Sequence, residues 1–212
     1  CLPLLCLALA SCSKLENPGN VTANEAATRA PGADGDHMVS INVADAPRPG
    51  EQFDAVLAMA VLRHGRLHRY NTAPGEIAET ALLEEEFAAL MGAKYCLAVA
   101  SGGYAMGCAL RAVGVKAGDA VLSNAFTLAP VPGAIASVGA VPVFVEVADD
   151  LTIDLDHLAV MARDSGARIL LLSHMRGHVC DMAALMAICD GLGITVIEDC
   201  AHTMGATWHG VP

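Results

Sequence analysis

Residues 169–199 read ILLLSHMRGHVCDMAALMAICDGLGITVIED, and this stretch alone indicates an α/β protein. Two short apolar runs rich in branched side chains, Ile169–Ser173 and Ile194–Ile197, have the length of strands. Between them lies a helix-length segment, 181–190, for which Asp181 is a suitable N-cap. Strands that are apolar on both faces and alternate with helices are typical of a parallel sheet covered by helices on both sides.

The same alternation extends toward the N terminus. Apolar residues at helical spacing predict one helix through Phe53 and Val61 and another that starts near Ile77. No internal repeat is visible. The further predicted strands are Tyr95–Ala100, Ala120–Ser123 and Val141–Val147, and the further predicted helices are 104–113, 126–137 and 155–163. We therefore expect a three-layer α/β/α fold with a mainly parallel sheet.

The composition disfavours two classes of partner. The chain has 212 residues with 12 basic and 23 acidic side chains, a net charge of −11. This charge repels nucleic-acid backbones and anionic lipid surfaces. With 54% hydrophobic and 17% charged residues, the chain has the composition of a globular protein. We predict neither a nucleic-acid nor a membrane partner.

The eight cysteines are scattered and include no C-x-x-C pair, which favours reduced thiols in a cytoplasmic protein over a disulfide framework. A zinc site would need three or four converging ligands. The nearest group combines His174, His178 and Cys180 with Cys200 and His202 further along. We favour a polar loop with buried thiols and predict no metal site.

The N-terminal segment differs from the remainder. An apolar run too short to span a bilayer ends at Cys12, and Leu9–Cys12 is similar to a lipoprotein cleavage box, which would place a lipid on that cysteine. The other interpretation is upstream sequence ahead of a start at Met38, and we favour it. We expect residues 1–37 to be disordered and 38–212 to form the domain.

Two segments at the predicted carboxyl ends of strands are candidate binding elements, because ligands bind at that edge of a parallel sheet. Ser101-Gly102-Gly103 leads from a strand into a helix, where free N–H groups attract an anion such as phosphate. Glu198 and Asp199 place two carboxylates at the mouth of a buried strand, where each needs a cation or a donor. Together they suit a phosphorylated cofactor with a protonated ring nitrogen.

Structural interpretations of both segments remain open. A tight strand-to-helix turn needs glycine for steric reasons, and Asp199 could cap a helix while Glu198 is solvated. The turn also lacks the glycine spacing and the lysine of a P-loop. The G-x-G at Gly191–Gly193 precedes its strand, so a dinucleotide fingerprint is excluded.

From about Leu83 onward, the sequence resembles the DegT/DnrJ/StrS sugar aminotransferases, which are pyridoxal phosphate enzymes of the aspartate-aminotransferase fold. The order and spacing of the shared segments carry the resemblance. It implies that the chain is the N-terminal part of a large domain of that type (PLP fold type I). The segments are Glu86–Ala88, Gly92–Tyr95, Val99–Gly103, Gly118–Val121, Ala125–Thr127, Gly139–Val145, His174–Gly177, Asp181–Met182 and Val196–His202.

The resemblance implies a cofactor site. Its phosphate would be held by Ser101, Gly102, Gly103 and Tyr104, although Gly103 replaces the threonine that the family usually has. The catalytic pair would be Asp199, bound to the pyridine nitrogen, and His202, near the phenolic oxygen. Leu128 would offer an apolar contact where the family stacks an aromatic ring, and Arg176 adds a cation where an aromatic is common.

The lysines depart furthest from the family pattern. The chain has only Lys14, Lys94 and Lys116, and none follows Asp199, where the family carries its Schiff-base lysine. Lys94 and Lys116 are expected at the amino ends of strands, away from the site. The resemblance thus implies a fragment that is inactive alone.

The expected function is transfer of an amino group from an amino acid donor to a keto sugar or cyclitol, by a cytoplasmic homodimer that uses pyridoxal 5′-phosphate. One alternative is a lysine-lacking sugar dehydratase of the same family, which would share every motif present. Another is a lipid-anchored binding protein, which would explain Leu9–Cys12 but neither the Ser101 turn nor Asp199.

Overall fold

The computed structural model of the protein describes residues 55–210. The expectation for residues 1–37 lies outside them. The described residues belong to two units that meet in sequence at Pro74 and Gly75. In the first, α1 spans Ala55–His64 and ends with the basic residues Arg63 and His64 in its last turn, which suits the negative end of the helix dipole.

The second unit, from Gly75 onward, contains a four-stranded parallel sheet in the order β2-β1-β3-β4. This confirms the predicted α/β class. The strands are β1 Ala120–Asn124, β2 Val141–Val145, β3 Ile169–Ser173 and β4 Thr195–Asp199. The helices are α2 Glu79–Leu90, α3 Gly102–Ala112, α4 Pro130–Ser137, α5 Leu155–Ser165 and α6 Met182–Leu192, and a 3₁₀ turn spans Met175–Gly177.

Helices cover both faces of this sheet. On one face Leu170 and Leu172 of β3 pack with buried residues of α5 and α6, including Leu158 and Leu185. On the other face Leu171 packs with buried residues of α3 and α4. Since successive side chains of a strand point to opposite faces, β3 contributes to both cores at once. The three layers are therefore α5/α6, the sheet, and α3/α4.

The prediction of a strand at Tyr95–Ala100 is wrong. None of the described strands pairs with this segment, so its backbone groups have no ladder to join. Tyr95 is 74% exposed and Leu97 53% exposed, although both are apolar. An apolar run predicts a strand only where a neighbouring strand is available to pair with it.

The helix predicted over 126–137 begins later, at Pro130. Proline is favoured in the first turn of a helix because its missing N–H would be unpaired there. Ahead of it the chain forms turns, in which Thr127 N–H donates to Ala125 O and Val131 N–H donates to Leu128 O. Residues 126–129 are therefore a loop at the carboxyl end of β1.

Candidate active site

Asp199 is the last residue of β4, at the carboxyl edge of the sheet. Two residues earlier, Ile197 is fully buried in the core that α3 and α4 form. Because side chains alternate along a strand, Asp199 lies on the same sheet face as Ile197. The carboxylate therefore stands at the end of the face that α3 covers.

Three hydrogen bonds hold Asp199. Its Oδ2 accepts from the Ser173 hydroxyl at 3.1 Å, and its Oδ1 accepts from Ala201 N–H at 3.2 Å. Its backbone oxygen accepts from His174 N–H at 3.2 Å. A carboxylate offers about four acceptor positions, so two remain after these side-chain contacts. Asp199 is half-buried.

Within residues 55–210, two backbone donors at the start of α3 have no acceptor. Ser101 is the N-cap, and its Oγ accepts from Tyr104 N–H at 3.2 Å, so one donor is already satisfied. Among the described residues, nothing accepts from the N–H groups of Gly102 and Gly103. A Cβ added at Gly103 would meet nothing within 4 Å, so this end of α3 is open to a ligand. Two free N–H groups and the positive end of the helix dipole suit an anion.

His202 is tied to the turn that follows β3. Its Nδ1 accepts from Arg176 N–H at 3.1 Å, which places the proton of a neutral ring on Nε2. Arg176 has a φ of 55°, a left-handed conformation that residues other than glycine rarely adopt. The imidazole therefore stabilises this turn and keeps a donor on its other nitrogen. The His202 side chain is exposed.

His174 and Glu198 form a pair that sequence reasoning did not find. His174 is only 4% exposed, and its Nε2 donates to Glu198 Oε2 at 2.9 Å. The pair links the turn after β3 to β4, so Glu198 is not simply solvated. The available signal in the sequence was a histidine directly after one predicted strand together with an acid at the end of another.

The candidate metal ligands fall into two groups. His174, His178 and Cys180 line one small cleft. A ring nitrogen of His174, a Glu198 oxygen and Cys200 Sγ lie within 4.8 Å of one another. Burial raises the pKa of the Cys180 and Cys200 thiols to about 11, and the nearby carboxylates act in the same direction. Neutral thiols and a histidine already bonded to an acid suit a structural cluster, so the absence of a metal stays our prediction.

We expect removal of the Glu198 carboxylate to destabilise the fold. Glu198→Ala would leave the buried Nε2 of His174 without its acceptor, at a cost of about 1–3 kcal/mol in the free energy of unfolding. Glu198→Gln keeps an acceptor and should recover most of the loss. Urea denaturation is the measurement, with Glu85→Ala, at an exposed position of α2, as the control. Equal stabilities of Glu198→Ala and Glu85→Ala would contradict the assignment.

The remaining predicted residues are placed as follows. Leu128 is half-exposed in the loop before α4, and Tyr104 is largely exposed. Lys116 lies in the turn before β1, where its N–H donates to Asp119 Oδ2, and Lys94 Nζ lies 5.0 Å from the centre of the Tyr95 ring. Lys116 is thus at the amino end of a strand, as expected, whereas the same expectation for Lys94 is wrong, because residues 95–100 form no strand among those described. The cysteines of the described part, Cys96, Cys108, Cys180, Cys189 and Cys200, are free thiols.

Comparison with known proteins identifies the relationship. The sequence profile of the DegT/DnrJ/EryC1/StrS aminotransferase family matches residues 58–212, well over half of the chain. The chain belongs to this family. Within residues 55–210, no helix has the length and apolar character that crossing a membrane requires.

Three members or neighbours of the DegT/DnrJ/EryC1/StrS family illustrate the similarity. An L-glutamine:2-deoxy-scyllo-inosose aminotransferase of Streptomyces paromomycinus is 34% identical over 78% of this chain and 38% of its own. A solved 3-amino-5-hydroxybenzoic acid synthase matches 77% of this chain and 42% of its own, with 32% identity and a TM-score of 0.67. A GDP-4-keto-6-deoxymannose-3-dehydratase matches 62% and 36%, with 25% identity and a TM-score of 0.57.

These comparisons establish the fold and show how much of each relative's length the chain covers. The solved neighbours, which include an aminotransferase and a dehydratase, share one fold with this chain, whose parallel sheet is covered by helices. The chain spans well under half the length of the relatives that it matches. Residues 58–212, which the family profile matches, include the start of α3 and the end of β4.

Proposed function

We propose that this chain is part of a pyridoxal phosphate-dependent aminotransferase that moves an amino group from an amino acid donor to a keto sugar or cyclitol, in two half-reactions. The observation that carries the proposal is the acid at the end of β4, on the sheet face whose covering helix starts with two N–H groups that no other described residue accepts from. That pairing suits a ligand with a phosphate and a basic ring nitrogen.

The start of α3 fits the phosphate. The N–H groups of Gly102 and Gly103 would donate to phosphate oxygens, and the absence of a side chain at Gly103 allows close approach. Ser101 orders this turn as the N-cap of α3. Its hydroxyl can contact the phosphate while it accepts from Tyr104 N–H, because a hydroxyl both donates and accepts.

The carboxylate of Asp199 fits the ring nitrogen. Two acceptor positions of the carboxylate are not used by Ser173 or Ala201, and one of them would hold a proton on the pyridine nitrogen. A charged hydrogen bond of this kind is stronger than a neutral one. When bound, pyridoxal phosphate supplies a protonated ring that accepts electrons as the amino group is exchanged.

The other two residues would orient the ring. The Nε2–H of His202 is available to donate to the phenolic oxygen, because Nδ1 is already an acceptor for Arg176 N–H. Leu128 is exposed in the loop after β1 and would offer an apolar surface to the ring. It cannot stack as an aromatic residue would.

The sugar dehydratase of the same family is the second candidate. Its motifs in this part of the chain would be the same, and the solved dehydratase matches a smaller share of the chain than the synthase does. The two candidates differ in the residue at the Schiff-base position, and no lysine follows Asp199 in the 212 residues. Family membership gives no support to a lipid-anchored binding protein.

The whole protein's setting is part of the same proposal. We place residues 38–212 in the N-terminal part of the large domain, with the substrate surface completed by a second copy in a cytoplasmic homodimer. The amino donor and the keto substrate are small molecules. A net charge of −11 is compatible with this and unfavourable for nucleic acid.

Product analysis of the full-length protein tests the proposal. Incubated with pyridoxal phosphate and L-glutamine labelled with ¹⁵N at the α-amino group, it should transfer ¹⁵N to a keto-cyclitol or a nucleotide-linked keto sugar, as read by mass spectrometry. Loss of water from a 4-keto-6-deoxy sugar without incorporation of ¹⁵N would favour the dehydratase. Asp181→Ala, which removes only the cap of α6, should leave the transfer intact.

A further inference from the structure

Ser173, the last residue of β3, donates a hydrogen bond to the proposed catalytic acid, Asp199. Ser173 and Asp199 are register partners at the carboxyl ends of the adjacent parallel strands β3 and β4. Paired residues of neighbouring strands point to the same sheet face. The hydroxyl accordingly reaches Asp199 Oδ2 at 3.1 Å. Ser173 is only 6% exposed, so water does not replace this donor freely.

Ser173 is itself fixed by Asn124. The ladder between β1 and β3 ends at the pair Ser123 and Leu171. Beyond it, Asn124 Oδ1 accepts from Ser173 N–H at 2.9 Å, and Asn124 Nδ2 donates to Ser173 O at 3.1 Å. The side-chain amide thus imitates one more peptide unit and extends the pairing of β1 with β3. Asn124 is 2% exposed, so its two hydrogen bonds with the Ser173 backbone are shielded from water.

The same amide joins a third segment. Asn124 Nδ2 also donates to Phe126 O at 2.9 Å, in the loop that carries Leu128. All the polar atoms of the Asn124 amide group are therefore engaged. The result is a continuous chain of contacts from the loop after β1, through Asn124 and Ser173, to Asp199.

We propose that Ser173, held by Asn124, is a positioning residue that fixes the Asp199 carboxylate and directs its remaining acceptor positions toward the ring nitrogen of the cofactor. This inference rests on the proposed function. Ser173 acts through Asp199 and does not itself contact the cofactor. It restricts rotation of the Asp199 side chain and donates to the oxygen that would otherwise need water or another donor.

Ser123 provides a matched control. It lies on β1, one strand away from Ser173, and its hydroxyl is fully buried. Among the described residues its Oγ has no hydrogen-bond partner. Ser123→Ala and Ser173→Ala therefore make the same change of volume in the same sheet. Only the second removes a hydrogen bond to Asp199.

The test measures binding of pyridoxal phosphate to the full-length protein without substrates, by fluorescence titration. We expect Ser173→Ala to weaken binding roughly tenfold, the scale of a hydrogen bond to a charged group. Ser123→Ala should bind within about twofold of wild type, and Ser173→Thr, which keeps the hydroxyl, should recover most of the affinity. The ¹⁵N chemical shift of labelled cofactor should show a less protonated ring nitrogen in Ser173→Ala alone.

Equal affinity of Ser173→Ala and wild type, or equal losses in Ser173→Ala and Ser123→Ala, would overturn the inference while the proposed function stands. Absence of binding by wild type would overturn the proposed function and the inference with it. If Ser173→Ala does not fold, Ser173→Cys keeps the volume with a weaker donor. It should then show the same direction of change, and wild-type affinity in that variant would also overturn the inference.

Discussion

Replacing Asp199 by alanine should lower turnover of the full-length protein on the order of 10²–10³-fold, the loss that follows removal of a preorganised charged partner from an active site. Affinity for pyridoxal phosphate should fall as well. The physical reason is that no other carboxylate among the described residues ends a strand on the α3 face of the sheet. Steady-state kinetics and cofactor titration measure the two effects.

The control for this variant is another aspartate with a purely structural bond. Asp181 Oδ1 accepts from Ala184 N–H at 3.0 Å as the N-cap of α6. Asp181→Ala should cost about 1 kcal/mol of stability and leave cofactor affinity unchanged. Asp199→Asn, which keeps the shape but not the charge, should resemble Asp199→Ala. A fully active Asp199→Asn enzyme would contradict the role that we assign to the charge.

The second large effect concerns the lysines. Treatment of the 212-residue chain with pyridoxal phosphate and borohydride should leave no stoichiometric pyridoxyl label on Lys94 or Lys116. Lys116 precedes β1, and a five-residue strand places it roughly 17 Å from the carboxyl edge, beyond the reach of its side chain. Covalent capture requires an amine within reach of the cofactor carbon. Peptide mapping of the reduced protein is the measurement.

A label confined to either lysine, present at one equivalent and abolished by Asp199→Ala, would show that the site is elsewhere. Sparse labelling spread over several amines would be ordinary surface reaction. It should be unaffected by Asp199→Ala.

The sequence was sufficient to locate the four strands of the sheet, because each contains a short apolar run. Val121, Leu122, Leu170 and Leu171 are fully buried, as runs apolar on both faces require. The segment at Tyr95–Ala100 looks the same in sequence but has no pairing partner among the described strands. Strand formation depends on a neighbour that can be far away in sequence, so local pattern alone could not separate this segment from the others.

The candidate site was predictable only where it follows from position along a strand or helix. Asp199 and the Ser101 turn follow from the rule that ligands bind at the carboxyl edge of a parallel sheet. The contacts of Asn124 with Ser173 join residues 49 apart, and those of Ser173 with Asp199 join residues 26 apart. These contacts depend on strand order and register, which the sequence pattern does not specify. The pairing of His174 with Glu198 was missed for the same reason.

The exposure of individual apolar side chains near the site was also not predictable from the sequence. Among the described residues Tyr104 is 60% exposed and Leu128 49% exposed, yet the family resemblance places both at the cofactor. Composition predicts how much apolar surface a chain buries in total, but not which apolar side chains stay open at a binding edge. Their exposure agrees with a site that a ligand or further protein surface completes.

The most direct measurement is a crystal structure of the full-length protein with pyridoxal 5′-phosphate. We predict that the phosphate accepts hydrogen bonds from the N–H groups of Gly102 and Gly103, and that the ring nitrogen lies about 2.7–2.9 Å from a carboxylate oxygen of Asp199. A cofactor bound with its phosphate away from α3, or with its ring nitrogen facing a residue other than Asp199, would contradict it.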